Sequence, residues 1–384
     1  MILRIANTPR DYAWGSTTAI AELLGREPSG GREAEYWLGD HPVSPAVVVD
    51  RPAVGRTLAE VTAQTPAGRL PFLMKVLAAA EPLSLQVHPT LAQAAEGFAR
   101  DNSAGLALDD PRRSYKDDLH KPELIYALSD PFIALSGFRP VAASRAELAG
   151  VDEPCVDDFV QRRLTGDDAL GEIIAWLLSG DPEVAHLAMA LTDWAGEDGA
   201  PQPNDAHGTW ATVRRLAGRY PEDPGIVIST LMNTVVLRPG EALYLPAGNL
   251  HSYQEGLGIE VMAASDNVVR AGLTPKHVDV AEVLAILDPA PLPAPRLQPE
   301  VPQPGVRVFR PDVPDFALVV VEGEGLADGC LVGDDGPSIL LCLEGQVSID
   351  GQATATQGDA YYLSAGPFEL SGTGRVVVGT TNDR

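Results

Sequence analysis

The chain has 384 residues, 45% of them apolar and 21% charged, and 28 basic against 53 acidic side chains leave a net charge of −25. At roughly 150 residues per domain, this length suits two or three globular domains with real cores, which excludes bulk disorder. So acidic a chain repels nucleic-acid backbones and anionic membranes. It would also repel a small anionic substrate unless a local basic pocket overcame the global field.

The basic residues are unevenly split. Only Lys75, Lys116, Lys121 and Lys276 are lysines, and the other 24 are arginines. The four lysines are either survivors of a codon bias or positions that need a compact ammonium. Cys155, Cys330 and Cys342 are odd in number and widely spaced, which argues against a disulfide scaffold and a thiolate zinc site. The first ten residues hold no apolar leader core, and no uncharged stretch approaches the ~18 apolar residues of a membrane span. These features predict a soluble, cytoplasmic protein.

Along the chain, residues 1–90 break into short strand-like pieces cut by Gly and Pro, such as 47–49 and 83–87. Residues 91–100 read as a short helix. Residues 123–138 read as two strands around a Ser-Asp-Pro turn. From about Ala143 to Tyr220 the period turns helical: Leu170, Ile173, Ile174 and Leu177 recur at i, i+3, i+4, i+7, and Val184, Leu187, Ala188 and Leu191 repeat the spacing. Asp181, before Pro182, is an expected helix N-cap. Strand character is expected to resume at Ile226. Seven prolines between Pro289 and Pro304 forbid helix or central strand and read as a stiff linker. The tail from Val306 returns to short strands with Gly turns. Residues 238–247 (RPGEALYLPA) echo 356–365 (TQGDAYYLSA), which suggests two related barrels.

Four segments carry chemistry. In Leu-Ser-Leu-Gln-Val-His-Pro, Ser84, Gln86 and His88 fall on one face of a strand, where an amide oxygen and an imidazole suit a borderline divalent metal. A polar surface strand is the other reading. In residues 115–123 two of the four lysines, Lys116 and Lys121, stand with His120 and Glu123, as a site or as a solvated turn. In residues 240–253 a strand enters a tight Pro-x-Gly turn, and His251 follows near the mouth of a barrel, with Tyr253 beyond it. This pattern resembles the second motif of the cupin superfamily, in which that His is a metal ligand; the Asn that often closes the pattern is Glu255 here. In residues 259–277 the isolated Glu260 precedes a polar loop with Asp266, Arg270 and Lys276. Arg plus Lys is what gripping a phosphate dianion requires, although a connecting loop with ordinary surface charges has the same look.

Together these segments resemble the type I phosphomannose isomerases, zinc enzymes of the cupin class. Further matches are Tyr12-Ala-Trp14-Gly15, Ala34-Glu35-Tyr36-Trp37-Leu38-Gly39 and Pro71 to Leu77. The order of motifs holds from about residue 10 to 280, and the run from Ser265 to Lys276 is long and specific. Leu119 departs from the family, where Asn is expected.

The resemblance implies one Zn²⁺ per chain held by Gln86, His88, Glu123 and His251. It makes Arg270 the principal catalytic arginine. It places Lys121, His120, Asp266 and Glu260 around the open-chain sugar. Ser84, Lys75, Lys116, Lys276, Trp14 and Tyr253 would line the substrate and phosphate region. The reaction implied is D-mannose 6-phosphate to D-fructose 6-phosphate through a cis-enediolate, with Glu260, His120 and Asp266 as candidate bases among which the sequence does not choose. All four lysines then lie in motif segments, as a cationic pocket in an acidic protein requires. The rivals are a non-catalytic sugar-phosphate-binding cupin and a metal-dependent cupin oxygenase.

The expected fold is mainly β: two cupin-like (jelly-roll) barrels with an α-helical insertion. The catalytic barrel is expected from 1–142 and 226–275, the helical insertion at 143–225, a Pro-rich linker at 276–304, and the second barrel at 305–384. That last segment contains no His, so no metal is expected there. The expected partner is a small sugar phosphate, with no nucleic acid and no membrane, and the chain is expected to be a monomer whose product serves glycolysis or the supply of activated mannose (GDP-mannose).

Overall fold

The computed structural model describes residues 1–49, 56–66, 68–196 and 206–382. It is mainly β, with two antiparallel sheets of ten strands each. The first sheet runs in the order Val269–Gly272, Leu85–Val87, His251–Ala263, Glu123–Ala127, Ala242–Leu245, Arg296–Leu297, and four further strands join it off that path. These are Glu35–Leu38, Phe72–Ala79, Phe132–Phe138 and Met232–Leu237.

The 13-residue strand His251–Ala263 organises the sheet. Its first half pairs with Leu85–Val87 and Phe132–Phe138, and its second half with Phe72–Ala79 and Glu123–Ala127. The register shifts between Tyr253 and Glu255, and Gly256 follows at φ +131°, where an added Cβ would come within 2.6 Å of the Phe132 ring. That bend needs glycine.

Side-chain alternation then builds three cores. Leu77, Ala79, Ile125, Ala127, Ala134, Leu243, Leu245 and Tyr253 meet on one face. The opposite face of the same strands, with Met74, Val76, Leu124, Tyr126, Ile259 and Val261, packs on Phe309, Leu318, Val320, Leu341 and Val377 of the second sheet. Leu85, Val87, Leu135, Val269 and Ala271 pack beneath the helices. Covered on both sides, these strands read as near-continuous apolar runs. Every residue of Phe72–Ala79 is buried, and Lys75 is its one charge.

The two expected strands around the Ser-Asp-Pro turn are present. The expected short helix runs Leu91–Ser103, closed by a capping box between Thr90 and Gln93. Asp181 caps its helix, with its carboxylate accepting from the Glu183 amide at 3.0 Å. The helical block extends beyond its expected end, however. Residues 226–231, expected as strand, lie in the helix Pro224–Leu231, and the strand begins at Met232. The β-branched run misled, but Asp223 accepts from the Gly225 amide at 2.7 Å and Pro224 stands in the first turn, a start signal that outweighs weak propensity once every side is buried. The proline-rich stretch is also more than a linker. Arg296–Leu297 and Glu300–Gln303 are strands, each at the end of its sheet's order, where a proline costs no ladder bond.

The second sheet runs Glu300–Gln303, Val306–Phe309, Ala317–Glu322, Phe368–Thr380, Ser338–Ile349, Ala360–Leu363, Ile2–Ala6, Val47–Val48. Ile2–Ala6 and Val47–Val48 were expected in the catalytic barrel; their backbone pairs here instead. The sequence echo has a structural counterpart. Gly240 and Gly358 both have positive φ, and Glu241 and Asp359 accept from the amides of Arg238 and Thr356 at 2.8 and 2.9 Å. Each turn leads into a four-residue strand and then a 13-residue one. In that ungapped register Glu369 stands where His251 does.

Candidate metal centre and its surroundings

Three buried side chains from separate strands and their ends converge: His88, Glu123 and His251. The Nε2 atoms of His88 and His251 each lie 3.3 Å from one oxygen of the Glu123 carboxylate. The other ring nitrogens are already engaged: His88 Nδ1 lies 2.9 Å from the Asn267 carbonyl and His251 Nδ1 lies 3.0 Å from that of Asn249. A carbonyl only accepts, so both Nδ1 atoms carry a proton and both Nε2 atoms are turned toward the Glu123 carboxylate. Burial first of all, then Lys121, pushes His88 down to about 4, so its ring is neutral at working pH. The buried His88 Nε2 has no hydrogen-bond partner. Imidazole lone pairs and a carboxylate that face one another while buried are repulsive until a cation sits among them, so the donor set fits a divalent metal.

Gln86 stands beside them. It is the cross-strand neighbour of His251 on one side and of Arg270 on the other, so the three side chains share a face. Its amide nitrogen donates to the Ser84 hydroxyl at 3.3 Å, which turns the amide oxygen to other uses. Lys121 Nζ lies 3.0 Å from Glu123. Although burial works the other way, Lys121 holds the Glu123 pKa well below the usual carboxylate range.

A second polar group is buried further along the long strand. Lys75 Nζ is 2.8 Å from Glu260 and 3.8 Å from Glu35, and 5.1 Å from the centre of the Trp37 ring, whose indole N–H donates to Glu35 at 2.7 Å. Against burial, Glu260 and Glu35 hold the Lys75 pKa above its ordinary value. Burial raises that of Glu260, opposed by Lys75. Tyr253 is buried, tilted against His251 at 6.2 Å, and its pKa is raised well above normal by burial and then by Glu260. Trp14 packs at the edge of the apolar cluster that includes Leu83 and Tyr253.

Arg270 is half-buried and no hydrogen bond or ion pair engages it among the described residues. Burial lowers its pKa, and Arg270 in turn lowers that of the exposed Lys276. Two neighbouring cations without carboxylates form a ready anion site.

Two expected residues have partners outside the metal cluster. Lys116 Nζ binds the Leu108 carbonyl at 2.6 Å, and it is the Lys116 backbone that meets Asn267. His120 Nε2 contacts Asp315 of the second sheet at 2.9 Å. Asp266 lies 3.5 Å from His41, a buried residue that the sequence reading passed over. His41 precedes Pro42 as His88 precedes Pro89, and this repeated His-Pro was the available signal.

Burial first of all pushes His41 down to about 4, as it does His88. In the unfolded chain both rings take up protons near pH 6.5. The unfolded state therefore binds more protons between pH 6.5 and about 4, and folding stability falls as pH is lowered through that window. Thermal melts of the chelated protein should show this slope, and His41→Gln should reduce it. An unchanged slope in that variant would place the titration elsewhere.

The family described as phosphomannose isomerase type I, catalytic domain, matches over residues 2–141. The mannose-6-phosphate isomerase of Escherichia coli (strain K12) is 36% identical over 395 aligned residues, which cover 97% of this chain and 98% of the relative. A crystal structure of mannose 6-phosphate isomerase bound with zinc and yttrium superposes with a TM-score of 0.85 at 34% identity, covering 100% of both chains. A mutant phosphomannose isomerase from Salmonella typhimurium superposes with a TM-score of 0.86 at 33% identity, again over 100% of both.

Proposed function

Because the chain belongs to the type I phosphomannose isomerase family, we propose that Gln86, His88, Glu123 and His251 hold its zinc and that Arg270, Lys276 and Lys121 serve the sugar phosphate. The chain is an aldose–ketose isomerase that interconverts D-mannose 6-phosphate and D-fructose 6-phosphate, and its metal is zinc. The observation that carries the ligand assignment is the meeting of two buried imidazole Nε2 atoms and a buried carboxylate. Zinc supplies Lewis-acid stabilisation of the negative charge that develops on the sugar oxygens.

The remaining work belongs to side chains. Arg270 lies one strand from Gln86 and adds a positive group where the cis-enediolate charge develops. Lys276 extends that cationic edge to the phosphate. Lys121, on Glu123, faces the sugar hydroxyls. Glu260 is engaged with Lys75 at 2.8 Å, so it holds that ammonium rather than moving the substrate proton. We assign the C1–C2 proton transfer to His120, whose Nε2 is engaged with Asp315 and whose Nδ1 has no protein partner among the described residues. Asp266 then holds a sugar hydroxyl. Ser84, Trp14 and Tyr253 shape the floor, while Lys116 is too engaged with Leu108 for direct contact.

Each ten-stranded sheet is assigned to a cupin-like jelly-roll barrel, the C-terminal one without metal, and a cytoplasmic monomer that feeds GDP-mannose supply suits the acidic chain. No helix among the described residues is long and apolar enough to cross a membrane. The intact ligand set and family membership favour isomerisation over the binding-only and oxygenase readings.

The test is incubation of mannose 6-phosphate with the zinc-loaded protein in D₂O, followed by NMR with and without chelator. Chelator-sensitive fructose 6-phosphate is expected, with deuterium in the recovered sugar. Arg270→Ala should lower kcat by on the order of 10²–10³, the scale for losing one charge-stabilising group. A wild-type kcat in that variant would remove Arg270 from the reaction.

A further inference from the structure

One contact joins the segment beside the metal centre to the opposite sheet. His120 Nε2 and the Asp315 carboxylate are 2.9 Å apart, with both side chains about one-fifth exposed. Asp315 is not a loose surface acid. Its loop is fastened from behind by the end of the chain: Asn382 donates its side-chain amide to the carbonyls of Pro311 and Val313 at 2.9 and 2.7 Å, and its backbone amide to that of Pro314 at 3.1 Å. Arg310 donates to the Asn382 side chain at 3.0 Å. In front, Asp312 of the same loop acts on Tyr244 of the catalytic sheet and, after burial, raises the pKa of its hydroxyl.

The His120 segment is fixed at both ends as well. Asp117 accepts from Ser265 and from the Asp266 amide at 2.7 and 2.9 Å, and Asn267 bridges Asp117 and the Leu119 carbonyl. At the other end Lys121 meets Glu123. A carboxylate only accepts, so Nε2 carries the imidazole proton, and His120 Nδ1, with no protein partner among the described residues, is left as an acceptor.

We infer that Asp315, in the loop that leads into the strand Ala317–Glu322 of the C-terminal sheet, is a positioning residue: it fixes His120 in the Nε2–H tautomer and so leaves Nδ1 free to take the substrate proton. A carboxylate that orients an imidazole in this way sets which nitrogen can act as base. The C-terminal sheet thereby takes part in turnover, beyond a supporting role. This inference rests on placing His120 at the sugar.

The decisive variant is Asp315→Asn in the zinc-loaded full-length protein. An amide keeps a hydrogen bond to Nε2 in either orientation, so a merely structural contact survives. Tautomer control does not survive, because the amide N–H₂ can donate to Nε2 and move the ring proton to Nδ1. The expected result is a kcat loss of about 10–100-fold with KM within about 2-fold, while zinc content and Tm stay those of the parent. His120→Gln should lower kcat at least as far, and the double variant should lose no more than His120→Gln alone. Imidazole ¹⁵N NMR, with the His120 signal identified by its loss in His120→Gln, should show the Nε2–H form in the parent and the Nδ1–H form gaining in Asp315→Asn. Parent kcat in Asp315→Asn, or an unchanged tautomer, would overturn the inference. The tautomer readout needs no turnover, so failure of the parent to convert mannose 6-phosphate would count against the functional reading and leave the positioning claim to be judged by NMR.

Discussion

Glu123→Gln should lose at least about three orders of magnitude in kcat, more than any single charge-stabilising group supplies. The carboxylate is the one negative charge among the three converging groups, and both imidazole Nε2 atoms point at it from 3.3 Å. An amide offers one neutral acceptor where a bridging carboxylate offered two charged ones. Zinc content by elemental analysis should fall well below one ion per chain, because the charge that repays removing the ion's water is gone. The fold should persist, as the side chain keeps its shape. A variant that retained stoichiometric zinc and parent turnover would take Glu123 out of the ligand set.

Lys75→Met should produce the largest loss of stability. Lys75 is buried in a strand with no other charge, and it faces Glu260 and Glu35, which are 2% and 7% exposed. Removing the ammonium leaves two buried carboxylates to repel each other, a loss of roughly 3–5 kcal/mol. For a chain of this size that corresponds to a fall in Tm of about 10 °C. Adding Glu260→Gln to Lys75→Met should recover part of it, since one unpaired charge is then removed. If the single variant melted with the parent, the Lys75–Glu260 pair would not be a buried charge pair in solution. Activity should also fall, because Trp37 and Glu35 are held by the same ammonium.

Much of this site was legible in the sequence because strands alternate. Ser84, Gln86 and His88 fall on one face from spacing alone, and the backbone pairing of Gln86 with His251 and Arg270 brings the later motifs to that row. Spacing along one chain does not show what lies across from it. The motif around His120 does not show its partner Asp315, which is 195 residues away in the loop before the strand Ala317–Glu322. Lys116 looked like a member of a cationic cluster, but a nearby carbonyl captured it. His41 went unnoticed because a lone buried His has no periodic signature, although its place beside Trp37 could have been suspected from the neighbouring motif. In the fold, the helix Pro224–Leu231 was hidden by β-branched residues whose preference for strands is weaker than burial on every side.

The pairing of Ile2–Ala6 with Ala360–Leu363 ties together two strands made far apart in time. Arg4 and Asp359, which meet across it, are 355 residues apart. At 5–20 residues per second, a ribosome needs roughly 20–70 s to supply that partner. The C-terminal sheet therefore cannot close until Ala360–Leu363 has been made, and Ile2–Ala6 must stay available throughout. The catalytic sheet has less to wait for, since all its strands but Arg296–Leu297 are made by Gly272. Birth order and architecture thus run in opposite directions: a strand made before the catalytic sheet waits for partners made after it.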